Sequence, residues 1–255
     1  MSYIPEKYWN KRLLHNFNLS AVGHIGFNEY YNRWLYKVKI KTLKEVIKSL
    51  GISIYGKTIC DIGCGTGFFV DFYHSQRVEE IIGIDITNIS IDNLKKKYPQ
   101  YKFIKGDISS PQLVSTINLS FDILNVFDVL YHIVDDETFI RAITNIVSLT
   151  KKNGIIFLSD LAGQNNISVA PHVRFRSKGF YEKILDENNT KIIGIYPLYY
   201  FMNQQILGKF KVRFFKKIGV KLDNLCVPVY YYLDRLFLSI EKSNLNLIVA
   251  RKIKL

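Results

Sequence analysis

The sequence predicts an α/β fold built on a doubly wound, mostly parallel sheet. Short apolar runs that are typical of strands alternate along the chain with helical patterns, and a glycine-rich stretch joins the first predicted strand to the helix after it. Strands that alternate with helices favour a parallel sheet with helices on both faces. The predicted strands span about residues 57–62, 80–85, 101–107, 121–127, 155–160, 191–195 and 245–252.

Helices are predicted between these strands, at about 67–76, from about 88 to 98, at 136–149 and from 177 to about 188. Asn88 or Ser90 is expected to cap the second of them, because such side chains accept hydrogen bonds from the free amides of a helix start. Residues from about 5 to 50 predict a separate helical region that breaks near Gly23 to Gly26. We therefore expect an N-terminal helical cap, 1–50, on a main domain, 51–255.

The most informative stretch is the glycine-rich run from Cys60 to Phe68, which reads C-D-I-G-C-G-T-G-F. It begins in a predicted strand and ends in a predicted helix. Glycine permits the positive φ that such a turn needs, and it lets a ligand approach the backbone without meeting a Cβ atom. Asp85 closes the next predicted strand, 24 residues after Asp61, where a carboxylate can bind both hydroxyls of a ribose. This combination predicts a site for a cofactor that contains a nucleoside.

The spelling of the glycine run indicates which kind of cofactor to expect. A dinucleotide site usually reads G-x-G-x-x-G and holds a pyrophosphate at a helix N-terminus. Here Asp61 precedes the first glycine, and its carboxylate would repel a pyrophosphate. The same carboxylate suits the ammonium group of a zwitterionic amino acid.

Two further predicted strands also end in acids, at Asp107 and Asp128. From about Lys57 to Asp160, this unbroken order of motifs resembles the class I S-adenosylmethionine-dependent methyltransferases. The letters F-D-V-L-Y-H-I after the fourth strand resemble the small-molecule branch and differ from the Asn-Pro-Pro-Tyr type motif of amino-modifying DNA enzymes. The resemblance implies a Rossmann-like, seven-stranded sheet with an antiparallel last strand. It also implies S-adenosylmethionine as cofactor and S-adenosylhomocysteine as product.

The resemblance further assigns a part of the cofactor to individual residues of the glycine run and the strand ends. These are Asp61, Gly63 and Gly65 for the methionyl part, Asp85 for the ribose, Ile86, Asp107 and the amide of Ile108 for the adenine, and Phe127 for the floor beneath the sulfonium.

His132 is the predicted catalytic residue, since it follows the fourth strand where an acceptor should lie. A histidine has an ordinary pKa near neutrality and is therefore a natural general base for a hydroxyl or a protonated amine. The alternative is a hydrogen-bonded structural histidine beside the cofactor.

Candidate substrate-binding residues lie in two segments. The loop P-H-V-R-F-R-S after the fifth strand places His172, Arg174 and Arg176 at the same predicted edge, and Tyr30 and Arg33 belong to the N-terminal region. Arginine suits a carboxylate or phosphate. The alternatives are surface ion pairs for the arginines and helix packing for the N-terminal pair.

The net charge is +13, from 35 basic and 22 acidic residues, and it is unevenly distributed. Basic residues cluster between Lys11 and Lys48 and between Lys209 and Lys221. Such a field favours an anionic substrate, a phospholipid surface or nucleic acid, although solubility alone would also explain it.

The sequence contains no signal-peptide pattern and no uncharged apolar window of about 18 residues, and its three cysteines indicate neither zinc nor a disulfide framework. We therefore expect a cytoplasmic protein without a metal site.

About 49 residues, 196–244, separate the last two predicted strands, where the family pattern has a tight hairpin. We expect this insertion on the substrate side of the sheet, because the strand before it would end at the ligand-binding edge. Phe210, Phe214, Ile218 and Leu222 recur every four residues and predict a helical apolar stripe. The stripe would pack on the core or contact lipid as a peripheral membrane surface.

The predicted function is methyl transfer to oxygen or nitrogen of a small, anionic or phosphate-linked metabolite such as a sugar or a nucleotide-linked sugar. An RNA or protein methyltransferase is the first alternative. The basic surface favours it, and the lack of a recognisable nucleic-acid module in the sequence argues against a nucleic-acid substrate. A lipid or lipid-linked acceptor is the second. A cofactor-binding protein without transfer activity is disfavoured by the intact glycine run.

Overall fold

The computed structural model describes residues 3–204, 213–239 and 241–253, and the side chains of 213–220 are outside that description. Within these ranges the fold is a seven-stranded sheet in the order β3-β2-β1-β4-β5-β9-β8. Strand β9 is antiparallel to both of its neighbours, and the other pairs are parallel. The predicted doubly wound sheet is confirmed. The strands of this sheet are β1 Thr58–Ile62, β2 Glu80–Asp85, β3 Lys102–Lys105, β4 Phe121–Val126, β5 Thr150–Asp160, β8 Thr190–Tyr199 and β9 Leu245–Lys252, while β6 Ile167–Ala170 and β7 Val173–Phe175 form a separate hairpin.

Helices precede the sheet and connect its strands. They are α1 Pro5–His15, α2 Leu19–Val22, α3 Glu29–Ser49, α4 Phe68–Ser75, α5 Asn88–Lys97, α6 Leu113–Ile117, α7 Asp136–Ser148, α8 Lys178–Glu187 and α9 Arg213–Phe237. Asp135 caps α7 by accepting a hydrogen bond from the Thr138 amide at 2.8 Å. The acidic first turn of α7 suits the positive end of its dipole.

Several local features differ from the sequence predictions. Thr87, rather than Asn88 or Ser90, caps α5, because its side chain accepts from the Ser90 amide. The hairpin of β6 and β7 occupies a stretch predicted as a loop, and α6 was not predicted. Strand β5 begins five residues earlier than predicted, and β8 runs on to Tyr199.

The core lies in two layers, one on each face of the sheet. Helices α3 and α4 supply buried residues such as Leu43 and Val70 to the first layer, and α7 and α8 supply Phe139 and Tyr181 to the second. Side chains of β1 alternate between the layers, since Ile59 belongs to the first and Cys60 to the second. Both faces are thus covered, and the carboxyl edge of the parallel strands is left for a ligand.

The described part of the insertion packs on α3. The Tyr31 hydroxyl donates to the Met202 carbonyl at 2.7 Å, and the rings of Trp34 and Tyr231 lie 5.4 Å apart. Further along, Arg235 forms an ion pair with Glu45 at 3.2 Å. The side chain of Leu222 is exposed, whereas the other three residues of the predicted stripe, Phe210, Phe214 and Ile218, lie outside the described side chains. Across the residues that the structure describes, no helix combines the length and the apolar character that crossing a membrane requires.

Candidate active site

A cavity of about 290 Å³ opens at the carboxyl edge of β1, β2, β3 and β4. The N-terminal helices close one side of it. The residues that the cap contributes to the lining are Tyr3, Pro5, Trp9, Leu13, Val22 and Tyr36. The cavity therefore lies where open α/β sheets bind ligands, between the sheet and the cap.

The glycine-rich turn after β1 forms one wall of the cavity. Gly63 has φ +73° and Gly65 has φ +49°, both in the left-handed region. A Cβ atom on Gly63 would lie 2.2 Å from a methyl group of Val129, so no other residue fits there without displacing that side chain. The amides of Gly63 and Cys64 both donate to the Ile84 carbonyl, at 2.7 and 3.1 Å, and this fixes the turn against β2.

Asp61, at the end of β1, carries a buried carboxylate that is only half satisfied. Its Oδ1 accepts a hydrogen bond from the Asn125 amide at 2.7 Å, and Asn125 in turn accepts from the Tyr73 hydroxyl at 3.0 Å. Its Oδ2 is buried and finds no hydrogen-bond partner in the described part of the chain. Burial raises the pKa of Asp61 to about 7, with the neighbouring Asp85 carboxylate adding to the effect. A buried carboxylate oxygen without a partner is stabilised by a cationic hydrogen-bond donor.

Asp85, at the end of β2, lines the cavity and is nearly buried. Its Oδ1 accepts from the amide and the hydroxyl of Thr87, at 2.9 and 2.7 Å, and its Oδ2 accepts from the Gly65 amide at 2.9 Å. A carboxylate has about four lone-pair sites, so capacity remains for a ligand hydroxyl. Burial raises the pKa of Asp85, while these hydrogen bonds oppose the rise.

Residues after β2 and β3 complete this end of the cavity. Ile86, Asp107 and Ile108 all line it. Asp107 is exposed, and its Oδ1 accepts from the amide and hydroxyl of Ser109 at 2.8 and 2.7 Å. Its second carboxylate oxygen is thus available, and Ile86 and Ile108 provide apolar surface on either side.

Phe127 and Asp128 follow β4 and form the floor. Phe127 is buried and stacks on Phe69 with ring centroids 4.4 Å apart. Asp128 has φ +60°, its amide donates to the Ser159 hydroxyl at 2.8 Å, and its carboxylate pairs with the buried ammonium of Lys39. This ion pair ties α3 to the floor of the cavity, 89 residues further along the chain.

His132 lies in a short 3₁₀ turn after β4 and lines the cavity. Its Nδ1 lies 2.8 Å from the carbonyl oxygen of His172. Because a carbonyl oxygen only accepts, Nδ1 carries the proton, and Nε2 keeps its lone pair. Burial lowers the pKa of His132 to about 4, so the ring is neutral near pH 7 with a lone pair on Nε2, and it is a weaker base than an ordinary histidine.

Aromatic rings from α1 surround the two histidines. The ring of Trp9 meets His132 edge-on at 5.0 Å, and the ring of Tyr8 lies 4.9 Å from His172. The rings of His132 and His172 are parallel at 5.9 Å. The cavity is therefore apolar and aromatic at this end.

Four substrate-binding candidates lie outside the cavity lining, namely Tyr30, Arg33, Arg174 and Arg176, and so do His172 and Asp61. Arg176 is fully buried, and its guanidinium donates to Asp136 and to the carbonyls of Val134 and Arg174. Arg174 pairs with Asp136 at 2.6 Å, so both arginines make the ion pairs that were the alternative to anion binding. Tyr30 is 48% exposed, and Arg33 is also exposed and pairs with Glu29. Substrate binding by these four residues, and by His172, stays a prediction.

A family model described as a methyltransferase domain matches residues 55–203, more than half of the chain. The chain belongs to this methyltransferase family. The family and the cofactor expected from the sequence, S-adenosylmethionine, are thereby confirmed.

Three known proteins give the methyltransferase its context. It is 22% identical over 158 residues to the mRNA cap guanine-N(7) methyltransferase of Schizosaccharomyces pombe, covering 58% of this chain and 42% of the relative. It is 28% identical over 112 residues to the ubiquinone biosynthesis O-methyltransferase of Stutzerimonas stutzeri, covering 43% and 47%. These matches span less than half of each relative's length. The crystal structure of the N-methyltransferase NodS from Bradyrhizobium japonicum, solved with S-adenosylhomocysteine, covers 98% of both chains with a TM-score of 0.60 at 13% identity, a likeness of fold.

The residues of this methyltransferase fit S-adenosylmethionine. The unpaired Oδ2 of Asp61 can accept from an ammonium group, and the turn at Gly63 and Gly65 leaves room for a chain of atoms beside the backbone. Asp85 has acceptor capacity for ribose hydroxyls, and Asp107 has it for an amino group. Asp85 and Asp107 thus present acceptors in the cavity lining, and buried Asp61 lies behind it, at the end of β1.

Sequence reasoning missed several residues at or behind the cavity. Asn125 orients Asp61, Lys39 holds Asp128, and Trp9 and Tyr36 line the cavity. Asn125 could have been recognised from the sequence, since a polar residue inside the apolar strand β4 indicates a buried hydrogen bond. Lys39 carried a weaker one, because it lies between Val38 and Thr42 on the buried face of α3.

Replacing Asp85 by alanine is expected to weaken cofactor binding about 5- to 150-fold, because hydrogen bonds to a charged group contribute roughly 1–3 kcal/mol. Calorimetric titration with S-adenosylhomocysteine measures the change. Asp92→Ala is the matched control, since Asp92 is an exposed acid on α5. An unchanged dissociation constant for Asp85→Ala would place the ribose elsewhere.

Proposed function

We propose that the chain transfers a methyl group from S-adenosylmethionine to an oxygen or nitrogen of a small molecule. The observation that carries the proposal is the pairing of two features at one cavity: acceptors on Asp85 and Asp107 that match the cofactor, and a lining residue, His132, whose Nδ1 is bonded to the His172 carbonyl and whose Nε2 keeps its lone pair. S-adenosylmethionine, when bound, would supply a methyl carbon that the acceptor's oxygen or nitrogen attacks in line, so that the carbon–sulfur bond breaks and S-adenosylhomocysteine leaves.

The chain contributes orientation, exclusion of water and removal of a proton. Asp61 holds the methionyl end of the cofactor and Asp85 holds the ribose, while Phe127 closes the floor. The cap covers the opening through Trp9 and Tyr36. His132 accepts the acceptor's proton at Nε2, and its Nδ1–H stays bonded to the His172 carbonyl.

The lining favours an acceptor whose reacting part is apolar or aromatic. The lining includes Tyr3, Trp9, Leu13 and Ile133 together with the acids Asp128 and Asp135, and none of the described lining residues is a lysine or an arginine. An anionic group on the acceptor, which the net charge of +13 favours, would then remain outside the cavity in the field of the basic surface. The proposed acceptor is a small hydroxyl- or amine-bearing molecule with its phosphate or carboxylate at the cavity mouth.

The test combines binding with transfer. Calorimetry with S-adenosylhomocysteine and with NAD checks the cofactor, and a screen with S-adenosylmethionine labelled in its methyl group checks acceptors offered in pairs with and without a phosphate. We expect binding of S-adenosylhomocysteine and no binding of NAD, with transfer favoured for the phosphorylated member of a pair. Binding of NAD without any response to S-adenosylhomocysteine would overturn the proposal.

Methyl transfer to RNA is a second candidate, favoured by the basic surface and by the similarity to a cap guanine-N(7) methyltransferase. Several phosphate contacts would make RNA binding fall steeply with salt. A titration of binding to a capped oligonucleotide against salt concentration therefore separates the candidates. No measurable binding at low salt would leave the small-molecule function.

A further inference from the structure

We propose that the outer face of α9 docks on a lipid bilayer that carries anionic headgroups. The proposal concerns a surface apart from the cavity and does not depend on the identity of the methyl acceptor. Two observations carry it: an exposed apolar stripe along α9 and the basic charge around it.

The stripe consists of large apolar side chains that the fold leaves in solvent. Its members are Leu222, Leu225, Val229, Tyr232 and Leu236, which are between 45% and 75% exposed. They follow one another at intervals of three and four residues, so they share one face of the helix. Contiguous exposed apolar surface of this kind marks an interaction site rather than a folding requirement.

The opposite face of α9 packs against the rest of the protein. Val227 and Tyr230 are buried in the core layer beside α3, and buried Asp234 accepts from the amides of Tyr200, Phe201 and Met202. The helix is thus held in place without the stripe. Sequence changes in the stripe can therefore test its role without removing core contacts.

Basic residues accompany the stripe along the sequence and in the described part of α9. The segment from Lys209 to Lys221 contains six basic residues and no acid. The side chain of Lys221 is exposed, and exposed Arg235 shares its charge with Glu45 of α3. The acids within α9, Asp223 and Asp234, are both buried. An apolar stripe with lysine and arginine beside it is the pattern of a helix that lies in the interface of an anionic membrane.

The same charges disfavour a second copy of the chain as the partner that covers the stripe. The spacing of the stripe would allow two α9 helices to pair as in a coiled coil. Such pairing would bring the basic flanks of both copies together without an exposed acid of α9 between them, and like charges at these positions repel. A bilayer containing anionic lipid offers both the apolar layer and the opposite charge.

The experiment is flotation of the full chain with two kinds of vesicle, one of phosphatidylcholine alone and one containing about a quarter of phosphatidylglycerol. The test variant is Leu225→Glu/Leu236→Glu. The matched control is Tyr55→Glu/Leu119→Glu, which places the same two charges on exposed apolar residues elsewhere. Circular dichroism and S-adenosylhomocysteine binding confirm that each variant is folded, and light scattering gives the oligomeric state.

We expect the unmodified chain and the control to bind the anionic vesicles, with binding that weakens as salt is raised. The stripe variant should lose about tenfold or more of that binding while keeping its cofactor affinity. Equal binding by the stripe variant, or no binding by the unmodified chain, would overturn the proposal. If the unmodified chain is a dimer that does not bind vesicles, and the stripe variant is a monomer, the face would be assigned to a second copy of the chain. Cofactor binding is measured separately, so failure here leaves the proposed methyl transfer untouched.

Discussion

Replacing His132 by alanine is expected to lower kcat about 100-fold or more while leaving the affinity for S-adenosylhomocysteine nearly unchanged. The reason is positional. His132 lines the cavity, and because its Nδ1–H is held by the His172 carbonyl, Nε2 is the ring nitrogen with a lone pair for the acceptor's proton. The measurement is methyl transfer from labelled cofactor to the acceptor found by the screen, alongside calorimetry.

His15→Ala is the matched control for His132→Ala, because His15 is an exposed histidine at the end of α1. The pH profile adds a second readout. Burial lowers the pKa of His132 to about 4, so the acid limb that this residue contributes should lie well below the ordinary histidine range. A loss of less than about fivefold would make His132 structural.

Replacing Asp61 by asparagine is expected to have two opposite effects. Cofactor affinity should fall about 10- to 150-fold, because the variant loses a charge-assisted hydrogen bond to an ammonium group. The cofactor-free protein should become more stable at about pH 8. Its unfolding temperature should rise by several degrees, on the order of 2–4 °C for each kcal/mol gained.

The stability effect of Asp61 has a defined pH dependence. The folded pKa of about 7 lies above the ordinary value of 3.8, so the folded state binds this proton more tightly than the unfolded state does. The destabilisation from Asp61 therefore grows as pH rises from about 4 and is complete above about 7. Asp61→Asn and the unmodified chain should unfold at similar temperatures near pH 4 and diverge by pH 8, whereas Asp92→Asn should match the unmodified chain at both. Unchanged binding of S-adenosylhomocysteine by Asp61→Asn would remove Asp61 from the cofactor site.

Local sequence signals predicted the sheet and the cofactor wall. Asp61, Gly63 and Asp85 lie in or beside strands whose apolar runs are short and clear, so their place at one edge follows from strand order. The strand of residues 245–252 was predicted with the bounds that the structure has, because it contains an apolar run from Leu247 to Ala250.

Features that depend on distant partners could not be predicted in this way. Lys39 finds Asp128 only because α3 packs over the end of β4, and no local pattern records that packing. Arg176 is buried because Asp136, 40 residues earlier, neutralises it. The hairpin of β6 and β7 was not predicted because its strands have only four and three residues. An alternation of apolar and polar residues cannot be recognised over so few positions.

Helix α3 serves the cavity and the insertion at once, since Tyr36 and Lys39 face the site while Trp34, Lys41 and Glu45 hold α9. The insertion is consequently not an independent module. Grafting residues 196–244 from a relative, as one would to exchange acceptor preference, would alter the support of Lys39 and hence the position of Asp128. Divergence in α9 and in α3 should therefore be correlated among homologous chains, and engineering of this enzyme should treat the two helices as one unit of design.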